Sequence, residues 1–382
     1  MTPTMGGAGG QADVRREASP TIAQAIVADG RGGFAIETLL VGPPAAGEVL
    51  VEMRAAGVCH TDLDGVDRCT RPTVLGHEGA GVVTAVGDGV EHVVPGDAVL
   101  LTWAIACGRC FQCHAGEPSL CETLGRDHGH AHHGSTVRED GTPLERYFNL
   151  GTMSTATVVR AEAVVPIAAG VPFPSACLLG CAVMTGFGSV VNAAKVRAGS
   201  TVAVIGCGGV GVNVIQASRI AGARRIVAID VDPGRFAMAE RLGATDFLLA
   251  DRNDTSLLTL SEDFVRIGGG RRLDYAFECT GVPALAAAPL TCIRNGGTAV
   301  QVSGIEEPVT LDMTLFEWDK VYLNPLYGKC RPAIDFPVLM DLYLRRQLIL
   351  DELVSKTYPL SDLTQAFSDM SAGAITKGVL LP

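Results

Sequence analysis

Residues 201–211 have the sequence Thr-Val-Ala-Val-Ile-Gly-Cys-Gly-Gly-Val-Gly, an apolar run followed at once by a glycine-rich turn. Gly206, Gly208 and Gly211 have the Gly-x-Gly-x-x-Gly spacing, with Gly209 and Val210 between them. Between a strand and a helix, the first glycine makes a tight turn, the second lets the backbone approach a pyrophosphate, and the third lets helix and strand pack closely. The helix N-terminus adds N–H donors for the phosphates. The stretch therefore predicts a dinucleotide-binding fold.

Alternating strand and helix patterns extend from this turn. Strands are predicted at Thr201–Ile205, Arg225–Asp230, Asp246–Leu249, 274–279, 298–302 and Val321–Leu323. Such alternation is typical of a parallel, doubly wound α/β sheet. Asp230 ends the second strand, where a carboxylate accepts hydrogen bonds from ribose hydroxyls and repels a 2′-phosphate. No Lys or Arg follows it immediately, so NAD is favoured over NADP.

Four cysteines, Cys107, Cys110, Cys113 and Cys121, have the spacing Cys-x2-Cys-x2-Cys-x7-Cys. Thiolates this dense, in a chain without a secretory signal, indicate a tetrahedral zinc site rather than a disulfide framework. A site closed by four sulfurs has no open position, so this zinc is predicted to be structural. Any metal chemistry needs a second site elsewhere.

Composition limits the range of partners. The chain has 382 residues, 47% of them hydrophobic, and a net charge of −11, which suggests two domains with large cores. No block of Lys or Arg is present, so nucleic acid is not an expected partner. Residues 1–19 are glycine-rich and lack an apolar signal region, and we expect a flexible arm on a cytoplasmic protein.

Residues 21–100 alternate short apolar runs with Gly and Pro turns, which predicts a β-rich, barrel-like unit. Two stretches, 163–194 and 198–218, carry no charge. Because prolines interrupt the first and glycines fill the second, we expect buried strand and turn segments rather than membrane spans.

Three further motifs contain candidate metal ligands. They are Gly-Val-Cys-His-Thr-Asp at 57–62, Gly-His-Glu-Gly-Ala-Gly at 76–81 and Gly-Cys-Ala-Val-Met at 180–184. Spacing alone does not bring these segments together. In their order, and with the four-cysteine lobe and the glycine-rich turn, they make the chain resemble the zinc-dependent medium-chain alcohol dehydrogenases over about residues 20–382. Within that family it resembles the class III-like, thiol-dependent formaldehyde dehydrogenases, notably the mycothiol-dependent branch.

The resemblance implies a GroES-like, β-rich catalytic domain from residues 20–182 and 326–382, with the structural-zinc lobe at about 104–124. It implies a Rossmann NAD-binding domain at 183–325. Each subunit would hold two zinc ions and NAD(H) and act on a small alcohol or aldehyde, with or without a low-molecular-weight thiol. The protein would not associate with membranes and would form a homodimer or homotetramer.

The resemblance also implies residue roles. Cys59, His77 and Cys181 would bind the catalytic zinc, a Cys2His set known from alcohol dehydrogenases, with Glu78 as a transient ligand. Asp62 would orient His77, and Thr61 would take the alcohol proton while hydride moves to nicotinamide C4. Cofactor contacts are implied for His60, Thr185, the turn 206–211, Asp230, Arg235, Val302, Gly304 and Lys377. The substrate channel would include Trp103, Asn149 and Leu150.

Two departures from the family pattern affect the substrate. The Cys59–His77 separation is short, which removes residues from the loop 65–72 and predicts a pocket that is wider or differently shaped. Asp64 stands where some relatives have a relay histidine, so Asp64 or water would receive the proton from Thr61. The tract 128–133 holds four histidines, and Arg126 and Arg138 flank it. Its role is open between a solvated loop and a grip on an acidic or thiol-carrying substrate.

Several functions remain open from the sequence. The main hypothesis is an NAD-linked alcohol dehydrogenase. The alternatives are a dehydrogenase of the hydroxymethyl-thiol formed from formaldehyde, a tailoring dehydrogenase for one secondary metabolite, and a non-catalytic metal-binding relative.

Overall fold

The computed structural model describes residues 19–123 and 135–382. Almost all of the predicted N-terminal arm, the histidine tract and Arg126 lie outside these ranges.

A six-stranded, wholly parallel sheet forms the centre of the cofactor-binding part of the chain. Its strands, in spatial order, are Asp246–Leu249, Arg225–Asp230, Thr201–Ile205, Leu273–Glu278, Ile293–Gln301 and Val321–Leu323. The helices between them are Gly211–Ile220, Phe236–Leu242, Ser261–Ile267 and Ala288–Cys292. Helices cover both faces, which explains why the inner strands are continuous apolar runs. The predicted doubly wound sheet is confirmed.

The remainder is β-rich, as expected, and forms two sheets. The five-stranded sheet has the order Thr136–Arg138, Phe34–Val41, Thr21–Ala28, Thr73–Val74 and Glu145–Arg146. The larger sheet has the order Val164–Pro166, Ala98–Leu101, Glu78–Val86, Glu48–Gly57, Lys377–Leu381 and Val354–Pro359, and Ala156–Arg160 also pairs with Glu48–Gly57. Helices His60–Arg68, Phe111–His114, Pro332–Leu344 and Leu363–Ser371 accompany these sheets. This β-rich unit is therefore built from chain segments that come before and after the parallel sheet in the sequence.

The expectation of strands and turns over 163–194 was wrong in its larger part. Only Val164–Pro166 is a strand, and residues 173–193 form one continuous helical run that contains two π-helical turns, Leu179–Val183 and Ser189–Ala193. Pro172 is the N-cap and Pro174 lies in the first turn, where a missing N–H costs nothing. This run is long and apolar enough to cross a membrane, but 72% of its most apolar window is buried inside the fold.

Candidate active site

Three separate segments meet at one point beside the larger sheet. Cys59 follows the strand Glu48–Gly57 and caps the helix His60–Arg68. His77 precedes and Glu78 begins the neighbouring strand Glu78–Val86, and Cys181 lies in the π-helical turn Leu179–Val183. Their four ligand atoms all lie within 4.8 Å of one another. The fold thus gathers the residues that spacing alone could not connect.

The chemistry of this cluster fits a zinc ion. Two sulfurs and an imidazole form a borderline-soft donor set, and three protein ligands leave a fourth position open. His77 Nδ1 donates to Asp62 Oδ1 at 2.7 Å, so Nε2 is free to ligate. Asp62 is itself buried and accepts from the Cys59 backbone N–H at 3.2 Å. The aspartate therefore fixes the orientation of one ligand and the backbone of another.

Ionisation in the cluster also favours a cation. A hydrogen bond from the Cys181 thiol lowers the pKa of Cys59 well below its usual value. Burial, the largest single effect, lowers the pKa of His77, but the charges of Asp62 and Cys59 and the hydrogen bonds to them together outweigh burial and raise it. A buried thiolate and a carboxylate-backed imidazole are the groups that a metal ion binds.

Lys377, predicted to face the pyrophosphate, lies between the glycine-rich turn and Glu78. Its ammonium is buried and donates to Glu78 Oε1 at 2.7 Å and to the Val58 carbonyl at 2.9 Å. Its aliphatic stem passes beside Gly209 of the turn. Burial lowers the Lys377 pKa, but the nearby Glu78, Cys59 and Cys181 together outweigh burial and raise it, so the lysine stays charged. The other Glu78 oxygen, Oε2, is buried without a hydrogen-bond partner in the described structure, as suits an oxygen beside a metal site.

The four-cysteine lobe also fits a metal ion. All four sulfurs lie within 4.8 Å of one another, and none forms a disulfide. Cys107 and Cys113 sulfurs are 4.0 Å apart, and those of Cys110 and Cys121 are 3.9 Å apart. Tetrahedral zinc with bonds of about 2.3 Å requires sulfur separations of about 3.8 Å, close to these distances.

The glycine-rich turn lies at the carboxyl edge of the parallel sheet. Gly206 has φ +87°, which favours glycine, and a Cβ on Gly211 would lie 1.8 Å from the Gly206 carbonyl oxygen. Asp230 accepts from the Cys207 N–H at 2.7 Å, so its carboxylate organises the turn. Arg235 Nε lies 3.9 Å from Asp230. These groups lie together where a dinucleotide binds in such sheets.

The other implied cofactor residues surround the same edge. His60 is exposed at the start of its helix, and Thr185 is half-buried. Thr185 precedes Gly186, whose position leaves no room for a Cβ against Val210 and the helix that follows. Val302 packs into the core, whereas Gly304 is exposed beside Gly281.

Aromatic side chains line one side of the metal cluster. Trp103 stacks on Tyr327 with ring centroids 4.1 Å apart, and Phe148 lies 5.3 Å from Trp103 and 5.0 Å from the His77 ring. Leu150, predicted to line the channel, follows the 3-10 turn Tyr147–Asn149 and is fully buried in the barrel core, in a cluster against which Trp103 packs. Sequence reasoning missed Phe148, although an aromatic residue beside Asn149 was a visible signal.

Asn149 and Asp64 are both exposed, and Thr61 is half-buried. Arg138 forms a two-point ion pair with Glu37, at 2.6 and 2.8 Å. That pairing occupies the guanidinium that the sequence offered as a candidate to hold a substrate carboxylate.

Comparisons with known proteins agree with this geometry. Family models for an alcohol dehydrogenase GroES-like domain and a zinc-binding dehydrogenase match residues 45–169 and 209–329. The S-(hydroxymethyl)glutathione dehydrogenase of Paracoccus denitrificans is 34% identical, covering 91% of this chain and 95% of that relative. The alcohol dehydrogenase class-3 of Cereibacter sphaeroides is 33% identical, with coverages of 91% and 95%.

Solved structures give the same result. An alcohol dehydrogenase zinc-binding domain protein from Burkholderia ambifaria superposes with a TM-score of 0.87 at 34% identity, covering 95% of this chain and 99% of that one. Benzyl alcohol dehydrogenase from Acinetobacter calcoaceticus gives 0.85 at 28% identity, covering 94% and 99%.

Proposed function

Since the chain belongs to the zinc-dependent medium-chain alcohol dehydrogenase family and is class III-like, we propose that its Cys59, His77 and Cys181 hold a catalytic zinc at which an alcohol is oxidised with NAD. The convergence of these ligand atoms within 4.8 Å carries the proposal. Zinc, when bound, would polarise the alcohol oxygen, and NAD would accept the hydride.

The protein's own residues handle the proton and the geometry. Thr61 is adjacent to the cluster, and its hydroxyl relays the alcohol proton onward to Asp64 or to water. Asp62 holds His77 in the ligating tautomer. Asp230 accepts from the adenosine ribose and disfavours a 2′-phosphate, which selects NAD over NADP. We further propose a second, structural zinc on the four cysteines of the lobe, so that each subunit holds two.

An apolar alcohol with an aromatic body is the proposed substrate. The supporting observation is the wall of Phe148, Trp103 and Tyr327 beside His77. Aromatic walls bind flat apolar groups through area burial and ring–ring contacts. Arg138 is paired with Glu37 and adds no free cation for a carboxylate-bearing thiol adduct.

A hydroxymethyl-thiol formed from formaldehyde is the second candidate substrate. It is supported by the name and the 34% identity of the Paracoccus denitrificans relative. An absolute requirement for added thiol separates the two candidates.

We also propose a homodimer or homotetramer that forms through the edge of the cofactor sheet. The edge strand Val321–Leu323 and the exposed side chains of Met313 and Trp318, 72% and 71% accessible, support it. A cytoplasmic location is proposed because thiolate metal sites persist in a reducing compartment.

The test is the initial rate of NADH formation with short alcohols, benzylic and terpenoid alcohols, and formaldehyde with and without glutathione or mycothiol. Turnover of benzylic alcohols without thiol supports the aromatic-substrate proposal. Activity only with formaldehyde plus thiol would replace it with the second candidate. Absence of NADH formation across the panel by zinc-loaded protein would refute the dehydrogenase itself.

A further inference from the structure

Tyr147 packs directly on the helix that carries Thr61. Its hydroxyl donates to the Thr61 backbone carbonyl at 2.9 Å. A Cβ on Gly65, one turn along the same helix, would lie 2.7 Å from Tyr147 Cζ. The Tyr147 ring therefore fills a space that exists because Gly65 has no side chain. From that position its hydroxyl reaches the Thr61 carbonyl.

The segment that carries Tyr147 is held in an unfavourable backbone conformation. Phe148 and Asn149 have φ angles of +53° and +59°, a region that costs a non-glycine residue about 1–2 kcal/mol. Such strain persists where surrounding contacts fix it, and it clusters at functional sites. Here the turn brings two successive rings to the cluster: Phe148 lies 5.0 Å and Tyr147 6.2 Å from the His77 ring.

The Tyr147 hydroxyl is placed to hold a backbone, not to exchange a proton. The Tyr147 hydroxyl is the donor in its hydrogen bond with Thr61. Its acceptor is a peptide carbonyl, which does not titrate. A role as general acid or base is therefore not what this geometry provides.

We infer that Tyr147 is a positioning residue for Thr61: its hydroxyl anchors the Thr61 carbonyl and so fixes where the Thr61 side chain meets the alcohol. The inference rests on the proposed function, in which Thr61 takes the alcohol proton. The Thr61 side chain makes no hydrogen bond within the described parts of the chain, so its position depends on its backbone. A displacement of about 1 Å between reacting groups lowers rates by up to about a hundredfold.

The test compares Tyr147→Phe with Tyr343→Phe in the zinc-loaded enzyme, using benzyl alcohol. Tyr343→Phe also removes a hydroxyl donor, which lies 2.8 and 3.0 Å from the two carboxylate oxygens of Asp351, but far from the site. We expect Tyr147→Phe to lower kcat about tenfold and to raise the solvent deuterium isotope effect on kcat, since proton transfer becomes more limiting. Zinc content, the KM for NAD and Tm should match those of Tyr343→Phe.

Gly65→Ala provides an independent perturbation, because its methyl group displaces the ring while the hydroxyl remains. The same kinetic signature is expected. A kcat equal to that of wild type in Tyr147→Phe would overturn the inference. So would a fall in kcat that accompanies loss of zinc or a fall in Tm beyond the control, since that is a structural role only. A wild-type enzyme that oxidises no alcohol would refute the proposed function, and the inference with it.

Discussion

Gly208 and Gly211 of the cofactor turn have different roles, one in cofactor binding and one in stability, and alanine substitutions distinguish these roles. A Cβ at Gly208 would meet only the mobile Arg235 Nη1, at 3.3 Å, whereas at Gly211 it would lie 1.8 Å from the backbone oxygen of Gly206. Gly211→Ala must therefore open the turn from the helix by about 1.2 Å, an overpacking cost of about 3 kcal/mol. Gly208→Ala costs little stability, but its methyl group takes the place where the pyrophosphate approaches.

The expected results follow from these magnitudes. With an unfolding entropy of about 2.1 cal/mol/K per residue, 3 kcal/mol lowers the Tm of a 382-residue chain by about 4 °C, and by more if the cofactor-binding part unfolds alone. Differential scanning calorimetry should show that loss for Gly211→Ala and almost none for Gly208→Ala. Calorimetric titration with NADH should show Gly208→Ala with a Kd at least about tenfold higher, equivalent to about 1.4 kcal/mol. Wild-type NADH affinity in Gly208→Ala would refute the reasoning, as would wild-type Tm in Gly211→Ala.

Further predictions concern the metal sites, the buried ion pair and pH. Cys59→Ser should keep its Tm but bind one zinc instead of two and lose nearly all turnover, whereas Cys110→Ser should lose the lobe's zinc and aggregate; metal analysis and light scattering distinguish them. Lys377→Met should destabilise the fold by about 3–5 kcal/mol by leaving a buried carboxylate uncompensated, which a Tm near that of wild type would contradict. Hydrogen bonds, first from Lys356, hold the pKa of Asp369 at about 2. A carboxylate whose pKa is depressed in the folded state stabilises the fold at pH values above its unfolded pKa, and that stabilisation is lost as the pH falls towards the folded pKa. The Tm deficit of Asp369→Asn at pH 7 should therefore shrink as the pH falls below about 4.

The parallel sheet was predictable because its strands are local patterns. Strands Thr201–Ile205 and Arg225–Asp230, inside the sheet, have the bounds that their apolar runs predicted, since strands covered on both faces need only a continuous apolar run. The prediction of strands over 163–194 was wrong because an apolar segment without periodicity does not distinguish a buried helix from strands. The length of the segment favoured a helix.

The site was only partly predictable, because its residues come from distant segments. The motifs around Cys59, His77 and Cys181 marked candidates, but their convergence required the fold. The contact of Lys377 with Glu78 was not predicted, because position along the chain says nothing about where a long, flexible stem directs its charge. Phe148 was missed because a left-handed backbone turn, invisible in the sequence, decides which of three successive side chains reaches the cluster.

The contact between Lys377 and Glu78 joins positions 299 residues apart, and the whole cofactor sheet lies between them in the chain. Contacts that close such long loops form late, because the entropy of closure must be overcome before they contribute. During synthesis the cofactor sheet can therefore form from contiguous chain while the metal ligands wait for the strand Lys377–Leu381 to pair with Glu48–Gly57. The nascent protein would thus acquire its dinucleotide pocket first and its enclosed metal site last, and until then its ligating thiols would stay open to oxidants and to competing metals.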